Sequence, residues 1–116
     1  ITFINLQSKN FEDDLLEIKK KYSIDVHNFN DLDHYDDFAD VAALCAALDV
    51  CVSVSTAVST VAGAVGTPTK MLHWRRSSWN NVLFSPPGPD VKIYEKDTWE
   101  SWDKSFNSIA KELKNI

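Results

Sequence analysis

The stretch "DVCVSVSTAVSTVAGAVGTPTKML", residues 49–72, decides the fold. It is the least polar part of the chain, yet seven of its residues are Ser or Thr. Residues 50–54 form a short β-branched apolar run with apolar neighbours on both sides, which predicts a central strand covered on both faces. Ser55 stands where a helix N-cap belongs. The small residues that follow predict a helix lying close against a sheet, ended by Gly66 with Pro68 two residues later. "TKMLHW" at 69–74 reads as the next strand. The hydroxyls therefore mark a strand-to-helix turn, where they can cap the helix, hold an anion, or do both.

The same alternation extends in both directions. "TFINL" at 2–6 predicts a first strand. Asn10 is then placed to cap a helix in which Phe11, Leu15, Ile18 and Tyr22 recur, with acidic residues in its first turn and Lys19, Lys20 and Lys21 in its last. "IDVHNF" at 24–29 predicts a second strand. Asp36 is placed to cap a helix carrying Phe38, Val41, Leu44, Cys45 and Leu48 on one face. After the fourth strand, residues 75–90 carry "SPPGP" and no periodicity, which predicts a long loop. "VKIYE" at 91–95 is a fifth strand, and Trp99, Trp102, Phe106, Ile109 and Leu113 outline a closing helix. The expected architecture is α/β: a Rossmann-like three-layer sandwich on a parallel sheet of about five strands, residues 1–116 forming a single domain. Ligands of such sheets bind beyond the carboxyl ends of the strands.

Composition narrows the partners. Seventeen acidic residues against twelve basic ones give a formal charge of -5, which repels phosphate backbones and disfavours nucleic acid. The uncharged run 50–69 is broken by hydroxyls, Gly and Pro, so no transmembrane segment is expected. Cys45 and Cys51 fit no common zinc spacing and read as small core residues in a reducing, cytoplasmic setting. The chain opens on "ITFINLQ", without a Met, and reads as a piece of something longer.

Several groups could carry chemistry. Ser55, Thr56, Ser59 and Thr60 sit at the start of the third helix, where free amides favour phosphate; the plainer reading is that one caps and the rest face backbone. Gln7, Ser8 and Lys9 follow the first strand, and Lys9 is a candidate counter-charge for phosphates. His73 closes the fourth strand, as His27 closes the second. Trp74, Arg75 and Trp79 join two rings to a guanidinium and could form a second wall for a nucleotide, or pack against a neighbouring domain. "DLDH" at 31–34 offers a carboxylate pair but reads better as a solvated acidic loop, and no metal site is expected. No GxGxxG or GxxxxGK[ST] occurs.

Taken together, "FINLQ" at 3–7, "DDFADVAALCAALDVCVSVSTAVSTVAGAVGTPTKMLHW" at 36–74 and "SSW" at 77–79 resemble the carboxyl-terminal domain of heptosyltransferase-type glycosyltransferases, family 9. The similarity is greater to the bacterial branch fused behind tetratricopeptide repeats. It implies a GT-B architecture of two facing Rossmann-like halves, this one binding a nucleotide-sugar donor without a metal ion. The missing partner would be an amino-terminal Rossmann-like half or the repeats. The family's turn reads Asp-Thr-x-x-x-His. Thr56 matches its Thr, while Ser55 replaces the Asp and Thr60 the His. A His there can offset charge growing on a departing diphosphate, and Thr60 can only donate a hydrogen bond.

The resemblance implies sugar transfer to an acceptor hydroxyl, with no catalytic residue in this half and no turnover by this chain alone. A degenerate, non-catalytic interaction module is the alternative that the two replacements favour. A receiver-like signalling domain is a weaker third reading, because Gln7 and Ser8 stand where an acidic cluster would be needed.

Overall fold

The computed structural model describes residues 1–32, 37–74 and 88–115. The chain forms two compact units, Ile1–Ala43 and Leu44–Ile116.

In the first unit, β1 (Phe3–Ile4) pairs in parallel with β2 (Val26–His27), Phe3 opposite Val26 and Ile4 opposite His27. The ladder is extended by the Asn5 amide, which donates to the His27 carbonyl at 2.8 Å. Between them runs α1 (Glu12–Tyr22), acidic at its start and basic at its end as the dipole favours. Its N-cap is Phe11, not Asn10. Asn10 adopts a left-handed conformation (φ 57°), so it turns the chain one residue before the helix and makes no cap. Ser23 closes the helix in the same conformation, its amide bonded to the Lys19 carbonyl.

Helix α2 (Phe38–Ala46) contains the boundary between the units. Asp36, expected to cap it, lies outside the described residues. Asp37 supports its first turn instead: Oδ1 accepts the Asp40 amide at 3.1 Å, and the Asp37 carbonyl accepts the Val41 amide. The Asp37 carboxylate, first by hydrogen bonding and then by its charge, raises the pKa of Asp40.

The second unit is built on a fully parallel sheet, β3 (Cys51–Val54), β4 (Thr69–Trp74) and β5 (Val91–Lys96), in that spatial order. Helix α3 (Ala57–Ala64) joins β3 to β4, and α4 (Asp103–Leu113) closes the chain. One face holds Cys51, Thr69 and Met71, all buried. On the other, Leu72 and Tyr94 pack with Ile109 of α4, flanked by Trp102 and Leu113.

This corrects three expectations. The five described strands hydrogen-bond as separate sheets of two and three, not as one sheet of five; β1 and β2 contribute only two residues each. Within the three-stranded sheet the central strand is β4 and not β3. Val52 and Val54 remain 40% and 51% exposed because α4 lies over β4 and β5 and leaves that face of β3 bare. The closing helix begins after Trp102, so Trp99 stands outside it, 82% exposed. Among the described residues no helix is long and apolar enough to cross a membrane.

Candidate functional site

The turn between β3 and α3 starts from a strand end pinned by the Ser55 amide, which donates to the Leu72 carbonyl of β4 at 3.1 Å. The next residue, Thr56, is extended (φ -135°, ψ 178°) and is the N-cap of α3, one position beyond the expected Ser55. Its amide donates to Ser59 Oγ at 3.0 Å, so Ser59 fills the place that Glu or Gln takes in a common capping box. A hydroxyl suffices because Ser59 is fully buried and its short side chain already points at the turn.

The four sequence-picked hydroxyls therefore divide. Ser59 accepts from the Thr56 amide and donates to the Thr56 carbonyl at 2.8 Å, which commits it to the helix. Thr60 Oγ1 donates to the same carbonyl at 3.2 Å, alongside the Thr60 amide. Ser55 and Thr56 are exposed and keep capacity for a ligand. Ser53, which sequence reasoning left out, joins them: its hydroxyl lies 3.4 Å from Thr56 Oγ1.

His73 comes to this edge from β4. Its Nδ1 lies 3.0 Å from Ser55 Oγ, which also lies 3.4 Å from Met71 Sδ. Position 73 is in register with Glu95 of β5, and paired positions of a parallel ladder share a sheet face. Trp74 points to the other face, stacked on Trp102 with ring centroids 6.5 Å apart and planes 19° off parallel. The Lys96 ammonium lies 4.8 Å from the Trp102 centroid and 5.6 Å from that of Trp74. Lys96 is buried, and its ammonium also donates to the Asp97 carbonyl at 3.3 Å. Neither Lys96 nor Trp102 was legible as a partner of Trp74; the alternation of side chains along β4 and β5 is the signal that could have found Lys96. Arg75 and Trp79 lie outside the described residues.

Gln7, Ser8 and Lys9 belong to the first unit, where they are exposed beyond β1. Asn5 shapes that loop: its Oδ1 accepts the Gln7 amide at 3.0 Å, while its Nδ2 donates to the Gln7 carbonyl and to Asn28 Oδ1. The Gln7 side chain is spent within the loop, donating to the Lys9 carbonyl at 2.8 Å. A buried Asn in an apolar strand was the available sign of this role. His27 stacks edge-on against Phe29, centroids 4.6 Å apart.

Both thiols are buried and free. Burial, and then the neighbouring Cys45, pushes the Cys51 thiol up to about 12, and burial raises Cys45 as well. Among the described residues no three His, Cys, Asp or Glu side chains are grouped to hold a metal ion; Asp33 and His34 of the acidic loop lie outside them.

No family model matches the chain, and no solved structure does. It is similar to Protein FlbA of Caulobacter vibrioides, with 32% identity over 118 residues. That similarity takes in all of this chain and 20% of FlbA, so the chain spans about a fifth of the curated relative it matches.

Proposed function

We propose that this chain is the donor-binding half of a bacterial, cytoplasmic, metal-independent glycosyltransferase of GT-B type, similar to family 9. It would hold a nucleotide sugar whose glycosyl group passes to an acceptor hydroxyl. In this reading the five parallel strands belong to a Rossmann-like fold, and the other half, Rossmann-like or repeat-built, supplies the acceptor site and the general base.

One observation carries the reading. Ser55 and Thr56 are exposed at the carboxyl end of a parallel strand and at the start of a helix, with His73 beside them from the next strand. Hydroxyl donors, helix amides and an imidazole at one strand end suit a diphosphate. Trp74, with Arg75 and Trp79, would bound the base or sugar. The free thiols suit a reducing compartment.

The alternative, a non-catalytic interaction module, is favoured by one specific feature. Thr60, standing where the family has His, donates its hydroxyl to the Thr56 carbonyl. Titration with UDP and ADP, followed by amide shifts, separates the two readings. Saturable shifts at Thr56, Ser59 and Thr60 support the donor site. An unchanged spectrum of folded protein at millimolar nucleotide overturns it and leaves the module.

A further inference from the structure

The Ser55–His73 hydrogen bond can run in either direction, set by whether Nδ1 carries a proton. At 3.0 Å, neutral imidazole with a bare Nδ1 accepts the Ser55 hydroxyl proton, and that hydroxyl is then unavailable to a ligand. The neutral Nδ1–H tautomer and imidazolium both donate from Nδ1 instead, and only imidazolium adds a positive charge beside the turn. Ser55 Oγ becomes the acceptor, and its own O–H is released to point at solvent or at an anion. Because Ser59 and Thr60 give their protons to the Thr56 carbonyl, Ser55 and Thr56 are the turn hydroxyls with a proton to offer.

We propose, on the donor-site reading above, that a nucleoside diphosphate is bound with uptake of one proton at His73, which reverses the Ser55 hydrogen bond and turns the Ser55 hydroxyl onto the diphosphate. The bound state then holds a positive charge and an additional donor next to the anion, and both favour it over the proton-free state. β3 and the residue after it offer Ser53 and Ser55 on this face, α3 carries no acidic or basic residue in its first or last turn, and β5 brings Glu95 in register.

Calorimetry tests this on the intact protein, with UDP titrated in buffers of different ionisation enthalpy. A pH of about 7.5 lies above the range near 6 where the terminal phosphate itself titrates. The expected result is uptake of up to about one proton per UDP, with affinity falling by as much as about tenfold per pH unit as pH rises. His73→Gln, which keeps a side chain able to bond Ser55, should bind UDP weakly, without proton uptake and without that pH dependence. UDP binding that shifts Thr56 but takes up no proton overturns this inference and leaves the donor site standing, as does uptake that persists in His73→Gln. Absence of UDP binding at any pH overturns both.

Discussion

The Tyr94 phenol donates a 2.7 Å hydrogen bond to Glu112 Oε2, tying β5 to the last turn of α4. The same carboxylate takes Lys70 of β4 on Oε2 and Lys92 of β5 on Oε1 at 2.6 Å. One glutamate thus links the closing helix to two strands.

That arrangement sets an acid limit. Hydrogen bonds from Lys70, then Lys92 and Tyr94, lower the Glu112 pKa from 4.5 to about 2. A depressed carboxylate contributes stability that is complete above its unfolded pKa and is lost as pH falls through its folded one. Thermal unfolding of the wild type should therefore lose stability between about 4.5 and about 2. Glu112→Gln should start from a lower midpoint at neutral pH and lose less across that window. Parallel pH profiles would show that the carboxylate does not hold α4.

Ser59 tests the cap. It is completely buried and bonds both the amide and the carbonyl of Thr56. Ser59→Ala should cost about 1 kcal/mol in chemical unfolding, the usual cost of losing a cap interaction. Thr60→Ala should cost less, because its exposed hydroxyl bonds a carbonyl that already receives the Thr60 amide. Equal losses would contradict this division of the hydroxyls.

The two glycines at the ends of the 67–87 segment should respond differently. A Cβ on Gly88 would run into the Gly63 carbonyl, backbone against backbone. Gly88→Ala should therefore destabilise by about 1–3 kcal/mol, as other overpacked sites do. Gly66 has open space around it and a φ of 86°, so Gly66→Ala should cost about 1 kcal/mol through conformation alone. Gly66→Asn should recover part of that loss and Gly88→Asn none, as equilibrium unfolding of the four variants will report.

The thiols should be silent until the fold opens. With Cys51 pushed up to about 12 and Cys45 raised by burial, neither offers thiolate at ordinary pH. A thiol reagent at about pH 8 should label both cysteines only at the rate of unfolding. Rapid labelling of native protein would contradict the burial.

Much of the fold was legible because periodicity survives in short pieces. β3, β4, β5, α1 and the outline of α2 follow from their apolar spacing, and the charge order along α1 marks its ends. What was misread depended on partners distant in sequence. Val52 and Val54 look like core, but their exposure is set by where α4 comes to rest, some fifty residues later. Trp99 shares a spacing with Trp102 and Phe106 and still falls outside the helix. At the site, composition counted four hydroxyls alike. Three- and four-residue spacing brings Ser59 and Thr60 back over the Thr56 carbonyl, which separates them from Ser55 and Thr56. The approach of His73 to Ser55 needed the β3–β4 register, which no local pattern in the sequence reveals.

The bare face of β3 bears on how this protein behaves in concentrated solution. Val52 and Val54 leave apolar side chains half in water on one face of this strand, where a second molecule can adhere. Colloidal self-association would begin there. A lysine in place of Val54 should raise the solubility limit without altering the β3–β4 ladder, because position 54 already lies half in water.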